Sequence, residues 1–218
     1  LKTIKKYGVD IKELTLTTFF STLEQALFYG FFHADPHPAN LFVQKNGVLV
    51  YLDFGIMGDL NKSDRKKILR FFTSIPERDA EKSFDILLSL AREIKSNDLK
   101  EFKKESIRIL EEVYFHDVGE SSIGKAIYDV ISLGSKNGVV FDPNHVLMAK
   151  AIYQGEGLMR KVHADFKISE GIERFTKDYI RKKYSLPEIK EKIEQSLWYT
   201  KDLIDDLPDH IQNIIKKL

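Results

Sequence analysis

Asn46-Gly47, set in a chain whose pattern is otherwise helical, narrows the fold more than any other feature. Both residues accept left-handed backbone at little cost, so flanking apolar runs turn back on each other as an antiparallel hairpin. Leu41-Phe42-Val43 and Val48 to Leu52 are those runs, and they form the only convincing sheet in the sequence. Upstream, Asp10 with Glu13 reads as a capping box; Leu16, Phe19, Phe20, Leu23 and Leu27 then recur at helical spacing, giving a buried helix to about Tyr29. From Asn61 onward the spacing predicts helices near 62–74, 77–93, 98–115, 122–136, 143–162, 169–183, 187–204 and 208–217. Asp142 caps the helix opened by Pro143, Gly134 and Gly138 close the one before, and Pro187 and Pro208 each open another. No repeat or flexible linker divides the chain. The expected class is mainly α (α+β), one domain over 1–218, a helical bundle around one small hairpin.

Composition removes several functions. Cysteine is absent, which excludes disulfides, thiolate zinc sites and cysteine nucleophiles, so any metal binds through oxygen or histidine. Thirty-four basic and 33 acidic residues leave a formal charge of +1, too little to draw in nucleic acid. The longest uncharged stretches, such as Leu14 to Leu23, fall short of the ~18–20 residues that cross a bilayer, and no signal peptide is visible.

The chemistry gathers on either side of the hairpin. His33, Asp35 and Asn40 stand in the H-x-D-x-x-x-x-N spacing of a kinase catalytic loop, and Asp53-Phe54-Gly55 begins thirteen positions after Asn40. Phosphoryl transfer needs one carboxylate to aim the acceptor, and hard oxygen ligands to hold magnesium against the phosphates of ATP or ADP. Asp35 is the candidate base, because a carboxylate accepts the proton of an attacking hydroxyl or water. Asn40 and Asp53 are the candidate Mg2+ ligands, brought to one end of the sheet by the hairpin. His37 is placed to donate to the transferred phosphoryl group. His33 holds the loop by bonding backbone near Asp53; Phe54 packs, and Gly55 permits the turn. Asp and Asn are also common turn residues, but six fixed identities at these gaps arise by chance on the order of once in ten thousand chains.

The stretch Gly30-Phe31-Phe32-His33-Ala34-Asp35-Pro36-His37-Pro38, continued by Asp53-Phe54-Gly55-Ile56-Met57-Gly58, resembles the UbiB family of atypical kinases. The likeness runs on more weakly through Arg78-Asp79, Glu156-Gly157 and the stretch from Leu207-Pro208. It implies a protein-kinase-like C-lobe that binds ATP or ADP with Mg2+. It further implies slow ATPase or small-molecule phosphotransfer activity supporting ubiquinone or related isoprenoid-quinone biosynthesis at a membrane. The partners so implied are a nucleotide, a lipid or quinone precursor, and other quinone-biosynthesis proteins. The location so implied is cytoplasmic and peripheral to a bacterial inner membrane, or the matrix side in a mitochondrion. Ala39 stands where the family usually has glycine. The strand lysine, its glutamate partner, an alanine- or glycine-rich nucleotide loop and Lys-x-Gly-Gln are absent from these residues, which begin at Leu1. The expectation is therefore a C-lobe whose N-lobe lies elsewhere, and which alone binds nucleotide weakly and turns over little. Met148-Ala149-Lys150 is assigned to a helix surface.

No long activation segment or Ala-Pro-Glu follows Gly55, which disfavours a protein substrate and suits a small or lipid-like acceptor, or water. Lys62, Arg65, Lys66, Lys67 and Arg70 read as a solvated helix face before an acidic-lipid contact, and Arg181-Lys182-Lys183 likewise. His116, His145, His163 and His210 lack zinc spacing and read as surface or hydrogen-bonded core residues. Ile189, Ile193, Leu197, Trp198, Leu203, Ile204, Ile211, Ile214 and Ile215 read as packing, with peripheral membrane contact a reading inherited from the family. Two other functions stay open: a pseudokinase-like scaffold that binds nucleotide or prenyl lipid, and an aminoglycoside- or choline-kinase-like enzyme, against which Phe54-Gly55 argues.

Overall fold

The computed structural model describes residues 8–95, 99–115 and 122–162, together with Gly171, Ile172, Arg174, Phe175 and Lys177, which are helical. The chain divides into two compact units, Leu1–Phe175 and Thr176–Leu218, and the first carries every strand and helix from Ile11 to Val162. The helices expected at 187–204 and 208–217, the 181–183 cluster, the C-terminal isoleucine pattern and His116, His163 and His210 lie outside the described residues.

Helix α1 (Ile11–Glu24) starts where expected, because the Asp10 carboxylate accepts the Lys12 and Glu13 N–H groups at 2.8 and 3.4 Å. It continues as a π-helical turn, Gln25–Tyr29, closed by Gly30 at φ 78°. A side chain on Gly30 would put its Cβ 2.6 Å from the Leu60 carbonyl oxygen, so only glycine fits where the chain folds back. Strand β1 (Phe31–His33) follows, then the 3-10 turn Pro38–Asn40, strands β2 (Leu41–Val43) and β3 (Leu49–Tyr51), and strand β4 (Met57–Asp59).

The β2–β3 hairpin forms as read, with Phe42 opposite Val50 and Gly47 left-handed at φ 84°. It is not the only sheet, however. β1 pairs antiparallel with β4, and Phe32 faces Gly58 across the pair. Three-residue strands carry too little alternation to be read as such, and Gly58 reads as loop. The glycine is required because its missing Cβ would lie 2.2 Å from Cζ of the buried Phe32 ring.

Helix α2 (Lys62–Ser74) is capped by Asn61, whose Oδ1 accepts the Asp64 N–H at 3.0 Å. The helix expected over 77–93 shrinks to α3 (Ala80–Leu88). Arg78 is left-handed at φ 54°, and the Asp79 carboxylate takes the Lys82 N–H, which starts the helix afresh. Beyond it Glu93–Ile94 forms β5, paired with β6 (Val139–Val140) as a third small sheet. Helices α4 (Lys100–Phe115), α5 (Ile123–Lys136) and α6 (Pro143–Val162) complete the described fold. Gly138, at φ 73°, follows α5, but Gly134 does not close it; it lies inside, buried against the Phe141 ring. Among the described residues no helix is long and apolar enough to cross a membrane.

Helix α6 runs through the core, with Met148, Ala149, Ala151 and Ile152 buried and Lys150 exposed. Gly124 of α5 lets the two helices touch backbone to backbone, since a Cβ there would sit 2.4 Å from the Tyr153 nitrogen. One helical step further, Glu156 is buried against the start of α5, bonded by the Ser122 hydroxyl and by the Gly124 N–H at 3.2 Å. Burial raises its carboxyl to about 7 despite those bonds.

The folded state therefore keeps the Glu156 proton after the unfolded chain has lost it, and stability falls as pH climbs from about 4.5 to about 7. The loss amounts to roughly 3 kcal/mol. Urea unfolding at pH 5 and pH 8 is expected to show this fall in the native chain and a much flatter profile in Glu156→Gln. An unchanged profile in the variant would refute the assignment.

Candidate active site

The site is built from the end of β1 to the start of β4. The ladder of the β2–β3 hairpin extends one step beyond its strands, the Leu52 N–H donating to the Asn40 carbonyl at 2.8 Å. Asn40 and Asp53 thereby reach the same end of the hairpin. The buried Asn40 side chain donates from Nδ2 to the Asp35 carbonyl at 3.1 Å, which leaves Oδ1 as the end of the amide that can take a cation.

His33 is buried and joins the two halves. Its Nδ1 accepts the Asp35 N–H at 3.2 Å, so the ring proton sits on Nε2, which points at the carbonyls of Leu52 and Asp53, each at 3.0 Å. The His33 backbone N–H is taken by the Gln25 side-chain oxygen at 2.9 Å, anchoring the strand to the π-turn of α1.

Asp35 is partly exposed, and besides Asn40 on its carbonyl it has Gln154 and His37 as neighbours. Gln154 of α6 donates to Oδ1 at 2.9 Å, His37 Nε2 stands 3.5 Å from Oδ2, and the Asp35 carbonyl accepts the His37 N–H at 2.8 Å. His37 Nδ1 accepts the Ala39 N–H at 3.1 Å, so its Nε2 bears the proton facing Asp35. His37 is thus the cap of the Pro38–Asn40 turn as well as a donor in the site.

Two expectations around Asp53 are corrected. Asp53 itself, not Gly55, takes the left-handed backbone at φ 54°, and its Oδ1 accepts the Gly55 N–H at 3.2 Å. Gly55 serves by being small, since a Cβ there would meet that Oδ1 at 3.1 Å. Phe54 does not pack inside. It is 63% exposed, with an edge-on contact to His33 at 5.6 Å, because the chain turns straight into β4 and leaves the ring outside.

A polar cluster centred on buried Asp64 and His145 braces the next element. Asp64 is bonded by Asn61 at 2.9 Å, Arg92 at 2.8 Å and His145 Nε2 at 3.0 Å, and Arg92 also reaches Asp142 at 3.1 Å. His145 is the hydrogen-bonded core residue that the sequence allowed, and burial pulls its imidazole below the usual range. Asn144 accepts the Asp59 N–H at 3.0 Å, which ties α6 to β4. Arg65 and Lys67 are less solvated than read: Arg65 donates to the Phe28 carbonyl, and Lys67 to the Ser89 carbonyl at 2.6 Å. Gln154 carries no sequence signal of its own, because its place beside Asp35 comes from a contact between residues 119 positions apart.

Asn40 Oδ1 and the Asp53 carboxylate are hard oxygen donors of the kind magnesium takes. Among the described residues no group of three or more His, Asp or Glu side chains could hold a metal on its own. One amide oxygen and one exposed carboxylate are the sparse oxygen set of a cation that takes its remaining ligands from phosphates and water.

Residues 1–87, which span the loop, the hairpin and β4, match the family described as ABC1 atypical kinase-like domain. Over nearly its whole length the chain is similar to proteins named Probable protein kinase UbiB. That of Histophilus somni (strain 129Pt) is 22% identical over 224 residues, covering 100% of this chain and 41% of the relative. Those of Providencia stuartii, at 23% identity, and Shewanella piezotolerans (strain WP3 / JCM 13877), at 25%, align with 98% and 99% of the chain and 40% and 38% of their own lengths. The chain thus spans about two fifths of the curated relatives it matches. The resemblance carried by the His33 to Pro38 and Asp53 to Gly58 stretches is the one both comparisons return.

If His33 joins the loop to the Asp53 turn, His33→Phe keeps the ring and removes its bonds to Asp35, Leu52 and Asp53. Denaturant unfolding is expected to show a loss of about 1–3 kcal/mol. An unchanged midpoint would mean the bonds are not coupled to folding.

Proposed function

We propose that the intact gene product catalyses magnesium-nucleotide-dependent phosphoryl transfer with Asp35, Asn40 and Asp53, as a kinase or ATPase of the UbiB type. The observation that carries this reading is the bond from the Leu52 N–H to the Asn40 carbonyl, which puts an amide and a carboxylate at one end of the hairpin, beside the loop between β1 and β2 that bears Asp35. Asn40 Oδ1 and the Asp53 carboxylate would hold the metal, which when bound neutralises charge on the phosphates of ATP or ADP. Asp35 Oδ2 takes the hydrogen bond of the attacking hydroxyl or water and then its proton. His37 donates from Nε2 toward the same space, and His33 with Gly55 holds the Asp53 turn in place.

The acceptor proposed is small or lipid-like, or water, on the ground that only Phe54, Gly55 and Ile56 separate Asp53 from β4. Exposed Phe42, Leu52, Phe54 and Ile56 on the hairpin and turn would suit an apolar ring or chain beside the phosphates. A role in isoprenoid-quinone formation, with a quinone precursor as substrate, companion proteins of that route and peripheral contact with a membrane, is proposed on the family resemblance alone.

Phosphate release by the intact protein tests the chemistry. Asp35→Asn is expected to lower turnover by about 10²–10⁴-fold with magnesium-nucleotide affinity kept, and Asp53→Asn to abolish magnesium-nucleotide turnover. Wild-type turnover in both variants would contradict an enzymatic role and favour a nucleotide- or lipid-binding scaffold.

A further inference from the structure

We propose that Gln154 is the positioning residue for the Asp35 carboxylate and decides which of its oxygens acts as the base, an inference that rests on Asp35 being that base. A carboxylate only accepts, so the Gln154 amide must present its nitrogen, as it does to Oδ1 at 2.9 Å. The other end of the same amide, Oε1, is buried with no hydrogen-bond partner among the described residues. A buried acceptor without a partner works against the folded state. The fold keeps it in order to place a donor on Asp35.

Helix α6 is not free to rotate the amide away. Gly155 lies against α1, where a Cβ would meet the Phe19 ring at 3.4 Å, and Glu156 is bonded to Ser122 and Gly124 at the start of α5. Successive residues of a helix point about 100° apart, so these contacts fix the direction of Gln154 from both sides. With Oδ1 occupied, Oδ2 is left, among the described residues, with only His37 Nε2 at 3.5 Å, too far for a good bond. Oδ2 is therefore the oxygen that can turn to an incoming hydroxyl or water. The family match over residues 1–87 ends well before α6 begins, so this contact comes from a part of the chain that the match does not reach.

The test compares nucleotide turnover by the intact protein carrying Gln154→Leu, Asp35→Asn and both together. Expected is a folded Gln154→Leu with an unfolding midpoint at or above that of the native protein. Its kcat should be at least 10-fold lower, with KM for magnesium-ATP within twofold, and it should add no further loss once Asp35 is Asn. If Gln154→Leu does not fold, Gln154→Glu, which keeps the shape but turns an acceptor on Oδ1, is read by the same criteria. An unchanged kcat, a rise in KM alone, or an equal loss in the Asp35→Asn background would overturn the inference while leaving Asp35 as the base. Full activity in Asp35→Asn itself would remove both.

Discussion

The imidazole of His33 is the interaction on which the site depends. A neutral imidazole carries one donor and one acceptor on a rigid ring, and both are spent here, the acceptor on the Asp35 N–H and the donor on the Leu52 and Asp53 carbonyls. Asp35 and Asp53 lie on opposite sides of the hairpin in sequence, yet a single buried ring fixes the backbone of both. The Asn40 to Leu52 bond repeats the coupling one residue pair away. Without these links the two carboxylates would belong to independent surface loops, and a left-handed Asp53 would have little to hold it.

Helix α6 makes the same site part of the core. Gln154, Gly155 and Glu156 meet in turn the catalytic loop, α1 and the start of α5, while Asn144 at the other end of the helix ties to β4. Each contact relies on a residue type chosen for its place: a donor beside a carboxylate, no side chain beside a phenylalanine ring, a carboxyl beside the N–H groups that open a helix. The buried Asp64 and His145 pair, with the exposed Arg92 on Asp64, then joins α6 to α2. Geometry at residues 33–55 is in this sense set by residues about a hundred positions later.

Much of this was legible in the residues themselves. Asn46-Gly47 gave the hairpin, Asp10 and Asp142 gave helix starts, and the spacing of His33, Asp35, Asn40 and Asp53 gave the candidate site, because each acts through local backbone geometry. Strands β1 and β4 were not legible: they are too short for a period, and Gly58 is there to admit the Phe32 ring, a purely tertiary cause. The restart of α3 at Asp79 was hidden by apolar spacing that continues through Arg78, whose backbone is left-handed. Phe54 was read as packed because it is large and apolar, whereas the immediate return into β4 leaves it outside. Gln154 could not be found from sequence, since its role lies in a contact 119 positions away.

The central claim is that Asn40 and Asp53 hold a magnesium ion against nucleotide phosphates in reach of Asp35. A crystal structure of the intact protein with magnesium and a non-hydrolysable ATP analogue tests it most directly. The account predicts magnesium about 2.1 Å from Asn40 Oδ1 and from an Asp53 carboxylate oxygen, with the terminal phosphate facing Asp35 Oδ2. Nucleotide bound elsewhere, or magnesium bound without either residue, would contradict it.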